Sequence, residues 1–410
     1  MKSIKLRNSR LDEYFNAYHD KQEDHGGSLI KEWEEFRHRS FFTTRNKDTE
    51  DLMNQLNPLL PEAIDCIADN VMIFSSLEGC IEDLVSEGFL IADKVAYDFV
   101  KDKYDFSSSY SRLAYIDDIN SGKDIESIIR AYKKSSSSYL LAIGGGRTMD
   151  YAKYISFKTD AKLLAIPSSL ATHVYASPKI HALEPIKELG YKMTIDGNPA
   201  HLTFIDINLL SYLFPNKQRL VFSGFGDIMA FINARNDWKD SAKKGNERYS
   251  IFVDESIDLV IKTLENINIA EPLDNWISEY IFIQCLLCHI TDWVGSAPAS
   301  GAEHLFAKCI ENEVSEEPLH GEIVALGVLI FCYIRKKDVN LVLHLLDKFN
   351  ISNNLLDLNI NKIAVINALA KSINEGIRKD RYTILNDIEV SFEFFELTIN
   401  QMISNQLISE

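Results

Sequence analysis

The first seventy residues show no regular alternation of apolar and polar positions. The stretch SLIKEWEEFRHRSFFTTR mixes charges with aromatics, and residues 1–69 read as a polar helical extension that packs on the body or on a second subunit. From residue 70 the pattern changes. NVMIFSS is a short β-like run, LEGCIEDLVSEG a helix stopped by Gly88, and FLIAD a compact apolar strand ending in Asp93. KVAYDFVKDKYD predicts a helix, SRLAYIDDI a strand, DIESIIRAYKKS a helix and SYLLAI a strand running into a glycine triplet; KLLAIP and HLTFIDI are further strands. Short apolar strands alternating with helices mark βαβ units, so 70–216 is expected to form an α/β dinucleotide-binding domain with a parallel, Rossmann-like sheet. Pro215, in LFPNKQ, marks the expected boundary. Beyond about 217 the strand signals stop, and long helical periods such as ESIDLVIKTLENIN and LDNWISEYIFIQCLLCHITDWV predict an all-helical domain over 217–410.

Composition narrows the class. A chain of 410 residues suits two or three domains with sizeable cores. Lys and Arg total 43 against 60 Asp and Glu, a net charge of −17, which argues against nucleic acid or an anionic membrane as the main partner. A small phosphate ligand in a local pocket stays open. The start, MKSIKLRNSRLDEYF, lacks a signal-peptide core, and VALGVLIFCYI at 324–334 falls short of the ~20 residues of a membrane span. Six cysteines in so long a chain are no disulfide scaffold and point to a reducing cytoplasm. Cys285-Leu-Leu-Cys288-His289 has the spacing of a haem-attachment string, but inside the apolar run YIFIQCLLCHI it reads as core helix. A homo-oligomer with a small-molecule substrate is expected.

Three groups of residues could carry chemistry. In LLAIGGGRTMDYAKYISF a strand runs into Gly144-Gly145-Gly146, and Thr148 opens a helix carrying Asp150 and Lys153. Glycines let the backbone approach a phosphate, and the free N–H groups of the helix start favour an anion; a plain tight turn needs glycines too. Asp93, alone, reads as a helix N-cap; beside a glycine turn it reads as the acid that binds an adenosine ribose, and its charge disfavours a 2′-phosphate, leaning to NAD over NADP. In SGAEHLFAKCIENEVSEEPLHGEIVALGV, His304 and His320 stand in apolar, glycine-marked helix starts, each beside a glutamate. Asp227, after a glycine-bounded turn in VFSGFGDIMAFINARNDW, reads as a helix opener and N-cap, or as a third ligand. One carboxylate and two imidazoles suit Zn2+ with a position left open.

Gly144–Lys153, GGGRTMDYAK, resembles the GGGxxxDxAK turn of the glycerol dehydrogenase and sn-glycerol-1-phosphate dehydrogenase families, of the iron-containing alcohol dehydrogenase and dehydroquinate synthase superfamily. SGFGDIMAFINARNDW at 223–238, PASGAEHLFAKCIE at 298–311 and LHGEIVALG at 319–327 fall in the order of that family's metal-ligand segments and resemble the glycerol-1-phosphate branch most. The resemblance covers roughly 70–330 and implies a dehydroquinate synthase-like fold with a site in the cleft between its two domains. It implies that Asp227, His304 and His320 hold the metal, that Gly144, Gly145, Gly146 and Asp150 border the pyrophosphate with Thr148 at the helix start, and that Ser168, Ser169 and Thr172 line the nicotinamide side. Iron-dependent relatives carry a histidine ligand four residues after the aspartate; Phe231 cannot serve, so Zn2+ is preferred over Fe2+ or another divalent ion.

Two positions depart from the family. His173 stands where glycerol-type dehydrogenases carry a substrate-contacting aspartate, and Lys308 where relatives often have a second histidine. Together they would make the pocket more basic, with His173 a candidate for proton exchange; alternatively Lys308 snorkels outward and His173 fills space. The implied reaction is NAD- or NADP-dependent hydride transfer at a metal-bound carbonyl of a small polyol phosphate or polyol, with glycerol 1-phosphate and dihydroxyacetone phosphate as first pair. A cyclase or lyase that uses NAD transiently is the poorer fit: Asp227 and Ala230 replace the glutamate and lysine of that branch. A non-catalytic descendant is the third reading.

Overall fold

The computed structural model describes residues 9–22, 47–104, 112–191, 194–314, 318–378, 381–388 and 391–410. The aromatic segment 28–45 and the serine run 107–109 lie outside these residues. The chain packs into two compact units, Met1–Gln218 with Glu271–Cys288, and Arg219–Ala270 with His289–Glu410.

The first unit holds the strands β1 (Asp65–Ala68), β2 (Val71–Phe74), β3 (Phe89–Ala92), β4 (Leu113–Tyr115), β5 (Leu140–Gly144), β6 (Leu163–Pro167), β7 (Lys179–His181), β8 (Thr194–Asp196) and β9 (Leu202–Asp206). Its helices are α1 (Arg10–Gln22), α2 (Lys47–Leu56), α3 (Ile81–Glu87), α4 (Lys94–Tyr104), α5 (Gly122–Lys134), α6 (Gly146–Thr159) and the short α7 (Glu184–Lys187). Seven strands form one sheet in the order β1-β2-β9-β6-β5-β3-β4, and β7 pairs with β8 in a separate ribbon. Only β1 runs antiparallel in the large sheet, against β2. Strands β2, β3, β5, β6 and β9 are buried at every position, which is why they read as unbroken apolar runs rather than alternations.

The order of the sheet locates a ligand crevice. From β3 the chain steps outward to β4, returns to β5 on the other side of β3, and proceeds to β6 and β9. The direction of winding therefore reverses between β3 and β5, and ligands of open α/β sheets bind beyond the carboxyl ends of the strands at such a reversal.

Helices α8 (Ile207–Ile228) and α11 (Leu273–Val294) each contribute to both units, and the second unit otherwise contains α9 (Ala230–Lys243), α10 (Ile251–Asn266), α12 (Ala302–Glu311), α13 (His320–Arg335), α14 (Val339–Lys348), α15 (Lys362–Arg378) and α16 (Phe392–Ser404). No β-strand lies in it among the described residues. Two expectations are corrected. Pro215 does not interrupt the chain but sits inside α8, where its ring removes one backbone donor without ending the 22-residue helix. Asp227 does not open a helix: it lies in the last turn of α8, and the glycine beside it serves packing, as described below. The string Cys285 to His289 is core of α11, with both cysteines and the histidine buried. No described helix is long and apolar enough to cross a membrane.

Candidate functional site

Asp93 and the glycine triplet stand at the carboxyl ends of β3 and β5, on the two sides of the reversal. The Asp93 N–H donates to the Ile143 carbonyl at 3.2 Å, and its Oδ1 accepts the Ala96 N–H at 2.8 Å, capping α4. Its Oδ2 carries no hydrogen bond among the described residues, so the cap leaves one carboxylate oxygen for a ligand. A Cβ on Gly144 would overlap the Thr148 side chain, and one on Gly146 would lie 3.1 Å from Thr172 Oγ1, whereas Gly145 faces open space. The Ser168 N–H donates to the Gly144 carbonyl at 3.0 Å, and Ser169 Oγ accepts from Ala171 N–H, which folds the 168–172 segment against the turn. Helix α6 starts at Gly146 with Gly145 as its N-cap and no side-chain cap, and Thr148 Oγ1 is buried with no hydrogen-bond partner among the described residues. An uncapped helix start, an open glycine and an orphaned hydroxyl fit a pyrophosphate.

Asp150 is committed inside the protein. Its Oδ1 accepts the His181 N–H at 2.9 Å with Lys153 Nζ 3.7 Å away, and burial pushes its pKa up. Buried Lys153 donates to the carbonyls of Val174, Ser177 and Lys179, stapling the 174–179 segment to α6; burial pushes its pKa down to about 8 despite Asp150. His173, half-buried just before that staple, accepts at its carbonyl from Ala176 N–H and Cys288 Sγ.

In the second unit Asp227, His304 and His320 converge, with one ligand atom from each lying within 4.8 Å of the others. Glycines make this possible. A Cβ on Gly226 or Gly321 would collide with the backbone of the other helix, and one on Gly321 would also lie 2.9 Å from Asp227 N, so the end of α8 meets the start of α13 backbone to backbone. Residues next to those glycines, Asp227 and His320, are thereby set side by side. His304 comes from the first turn of α12, whose N-cap is Gly301. His304 Nε2 lies 3.2 Å and His320 Nε2 3.7 Å from Asp227 Oδ1, while their Nδ1 atoms face Glu303 Oε1 at 3.0 Å and Glu311 Oε1 at 2.5 Å. Two imidazoles with Nε2 towards a shared carboxylate and Nδ1 backed by glutamates form a donor set that fits a divalent cation. Burial alone would lower the His304 pKa, but its bonds to Asp227 and Glu303 outweigh that and push it up to about 9. Phe231, where an iron-type histidine ligand would stand, is buried.

Lys308, one turn after His304, pairs with Glu375 on α15 at 3.3 Å. The glutamate near His320 in sequence, Glu322, forms a two-bond pair with Arg219 instead, at 2.8 and 2.9 Å. Sequence reasoning did not single out Glu311, nor a buried network behind His304. Glu303, fully buried, accepts from Gly301 N–H at 2.5 Å and from Asn233 Nδ2 at 2.6 Å; Asn233 also reaches Asp237 Oδ2 at 3.4 Å. Asp237 accepts from the Ala302 and Ile384 N–H groups and pairs with Arg335, and burial pushes its pKa up to about 6. The signal was available: Asn233 and Asp237 lie at i, i+4 on the face of α9 that also carries Ala230, Ala234 and Trp238.

Residues 72–211 match the family model of iron-containing alcohol dehydrogenases. The NAD(P)+ glycerol-1-phosphate dehydrogenase of Saccharolobus solfataricus is 32% identical to this chain over 304 residues, 72% of this chain and 81% of the relative. The chain belongs to the glycerol-1-phosphate dehydrogenase family. Its fold recurs at much lower identity in the iron-containing alcohol dehydrogenase of Corynebacterium glutamicum (TM-score 0.58, 14% identity, 83% of this chain and 94% of that one). The glycerol dehydrogenase of Schizosaccharomyces pombe is similar in the same way (TM-score 0.57, 17% identity, 77% and 83%). Family membership makes the chain an oxidoreductase.

Proposed function

We propose that the chain is an NAD(P)- and Zn2+-dependent dehydrogenase interconverting a small polyol phosphate and its ketone, glycerol 1-phosphate and dihydroxyacetone phosphate being the first pair. The convergence of Asp227, His304 and His320 carries this reading, in a chain whose relatives bear the name of that activity. When bound, a divalent ion at these residues supplies Lewis-acid polarisation of a substrate oxygen, and a nicotinamide supplies or accepts the hydride.

The chain's own residues bind and orient. Asp227 is the one carboxylate in the donor set, so the direct ligands would leave the charge of a divalent cation only partly neutralised towards an oxygen that becomes anionic. Gly144, Gly145, Gly146 and Thr148 offer backbone N–H groups and an unpaired hydroxyl to the pyrophosphate, and Asp93 Oδ2 accepts from the ribose. Ser168, Ser169 and Thr172, folded against the turn, border the nicotinamide side. Asp150 and Lys153 fix the segment after His173, which is assigned proton exchange. The pairing of Lys308 with Glu375 favours charge balance between α12 and α15 over a role in proton transfer.

Steady-state assays on protein loaded with Zn2+ test the reading: dihydroxyacetone phosphate consumes NADH, and Asp227→Asn or His304→Ala removes at least about 99% of the rate, as loss of a metal ligand should. No NADH consumption with any three- to six-carbon phosphorylated ketone would refute it.

A further inference from the structure

The two histidines are backed unequally. The Glu311 that faces His320 is half-exposed, and the His320 side chain is 51% exposed. On the other side, His304 is 19% exposed and its partner Glu303 is fully buried. Three donors converge on the Glu303 carboxylate: Gly301 N–H, Asn233 Nδ2–H and His304 Nδ1. An ionised carboxylate, which only accepts, satisfies all three at once and keeps the His304 proton on Nδ1, leaving Nε2 as the atom turned towards Asp227. Asn233 is itself aimed by its two acid partners, Glu303 and Asp237, and its Oδ1 has no partner among the described residues. Arg335, which pairs with both Asp237 and Asp240, likewise leaves its buried Nε unpaired among them. A network arranged only for stability would satisfy those atoms; this one sets the direction of a single carboxylate.

Building on the metal reading above, we propose that Glu303 is a positioning residue, held by Asn233 and the Asp237–Arg335 pair, which locks His304 for the cation and makes it the firm ligand, with His320 the weakly held one. The lock acts through His304 and touches neither substrate nor cofactor. Gln at 303 offers one acceptor and one donor where three donors point inward. Ala at 233 leaves the Glu303 charge but releases its far oxygen. Gln at 311 disturbs only the half-exposed partner.

Co2+ binding to metal-stripped full-length protein tests this, read by titration and by the visible absorption bands of the bound ion, which report coordination geometry. Glu303→Gln is expected to raise the Co2+ dissociation constant roughly 10- to 100-fold and alter the bands, as loss of such backing does elsewhere. Asn233→Ala should shift both in the same direction by less, and Glu311→Gln should weaken binding less than Glu303→Gln. NADH binding, followed by fluorescence, should stay as in wild type. Should Glu303→Gln fail to fold, judged by circular dichroism, the Asn233→Ala result decides. Wild-type affinity and bands in Glu303→Gln and Asn233→Ala, or a larger loss from Glu311→Gln than from Glu303→Gln, would overturn the positioning role alone. A wild-type chain that takes up no Co2+ overturns the metal reading together with it.

Discussion

Asp93 does two things with one carboxylate: Oδ1 caps α4, and Oδ2 is left for a ligand. The two separate experimentally, because Asn caps a helix about as well as Asp but carries no charge. Asp93→Asn should leave the unfolding midpoint within a degree or two, yet move kcat/KM for NADP relative to NAD upward by about tenfold, or about 1.4 kcal/mol, as removal of one repelled charge allows. An unchanged ratio would leave Asp93 a cap and nothing more. Lys153 makes a pH prediction. Burial depresses its pKa from 10.5 to about 8, so between those values the unfolded chain holds the extra proton and stability rises with pH. Lys153→Met lacks this term. The difference in unfolding free energy, wild type minus variant, should therefore grow by up to about 1.4 kcal/mol per pH unit from pH 8 towards 10, measured by denaturant titration. A flat difference would mean that folded Lys153 keeps its proton across that range, as the unfolded chain does.

Among the elements, β2, β3, β5, β6 and β9 were legible because full burial makes each a short apolar run between turn signals, whereas the short, partly exposed β1, β7 and β8 were not. The failures came where a residue's usual meaning was overridden by tertiary contact. Pro215 and the glycine beside Asp227 ordinarily end helices, and both lie within α8. The contact with Gly321 explains the second case: Gly226 is small so that another backbone can touch it, a requirement invisible until α13 is placed. Gly321→Ala should destabilise the chain by about 1–3 kcal/mol through overpacking and weaken Co2+ binding with it, since Asp227 and His320 are the neighbours displaced. Thermal unfolding and metal titration read the two effects. Alanine tolerated at 321 without loss of either would refute the backbone contact as the organiser of the site.

For the whole molecule, the meeting of Asp227, His304 and His320 was expected from the family resemblance, which orders their three segments, and the structure brings these side chains together, whereas the network behind them was not foreseen. Glu303, Asn233 and Asp237 each look like ordinary polar positions, and only their mutual distances reveal a common purpose. The acidic balance of −17 argued against nucleic acid or an anionic membrane as main partner but said nothing of these local charges. The meeting of α8 with α13 has a last consequence. Asp227 and His320 are separated by a long run of chain, so an ion shared between them would tie off a large loop much as a covalent cross-bridge does. Occupancy then becomes a fastening of the helical unit, and a stripped chain should begin to fray where those two helix ends touch.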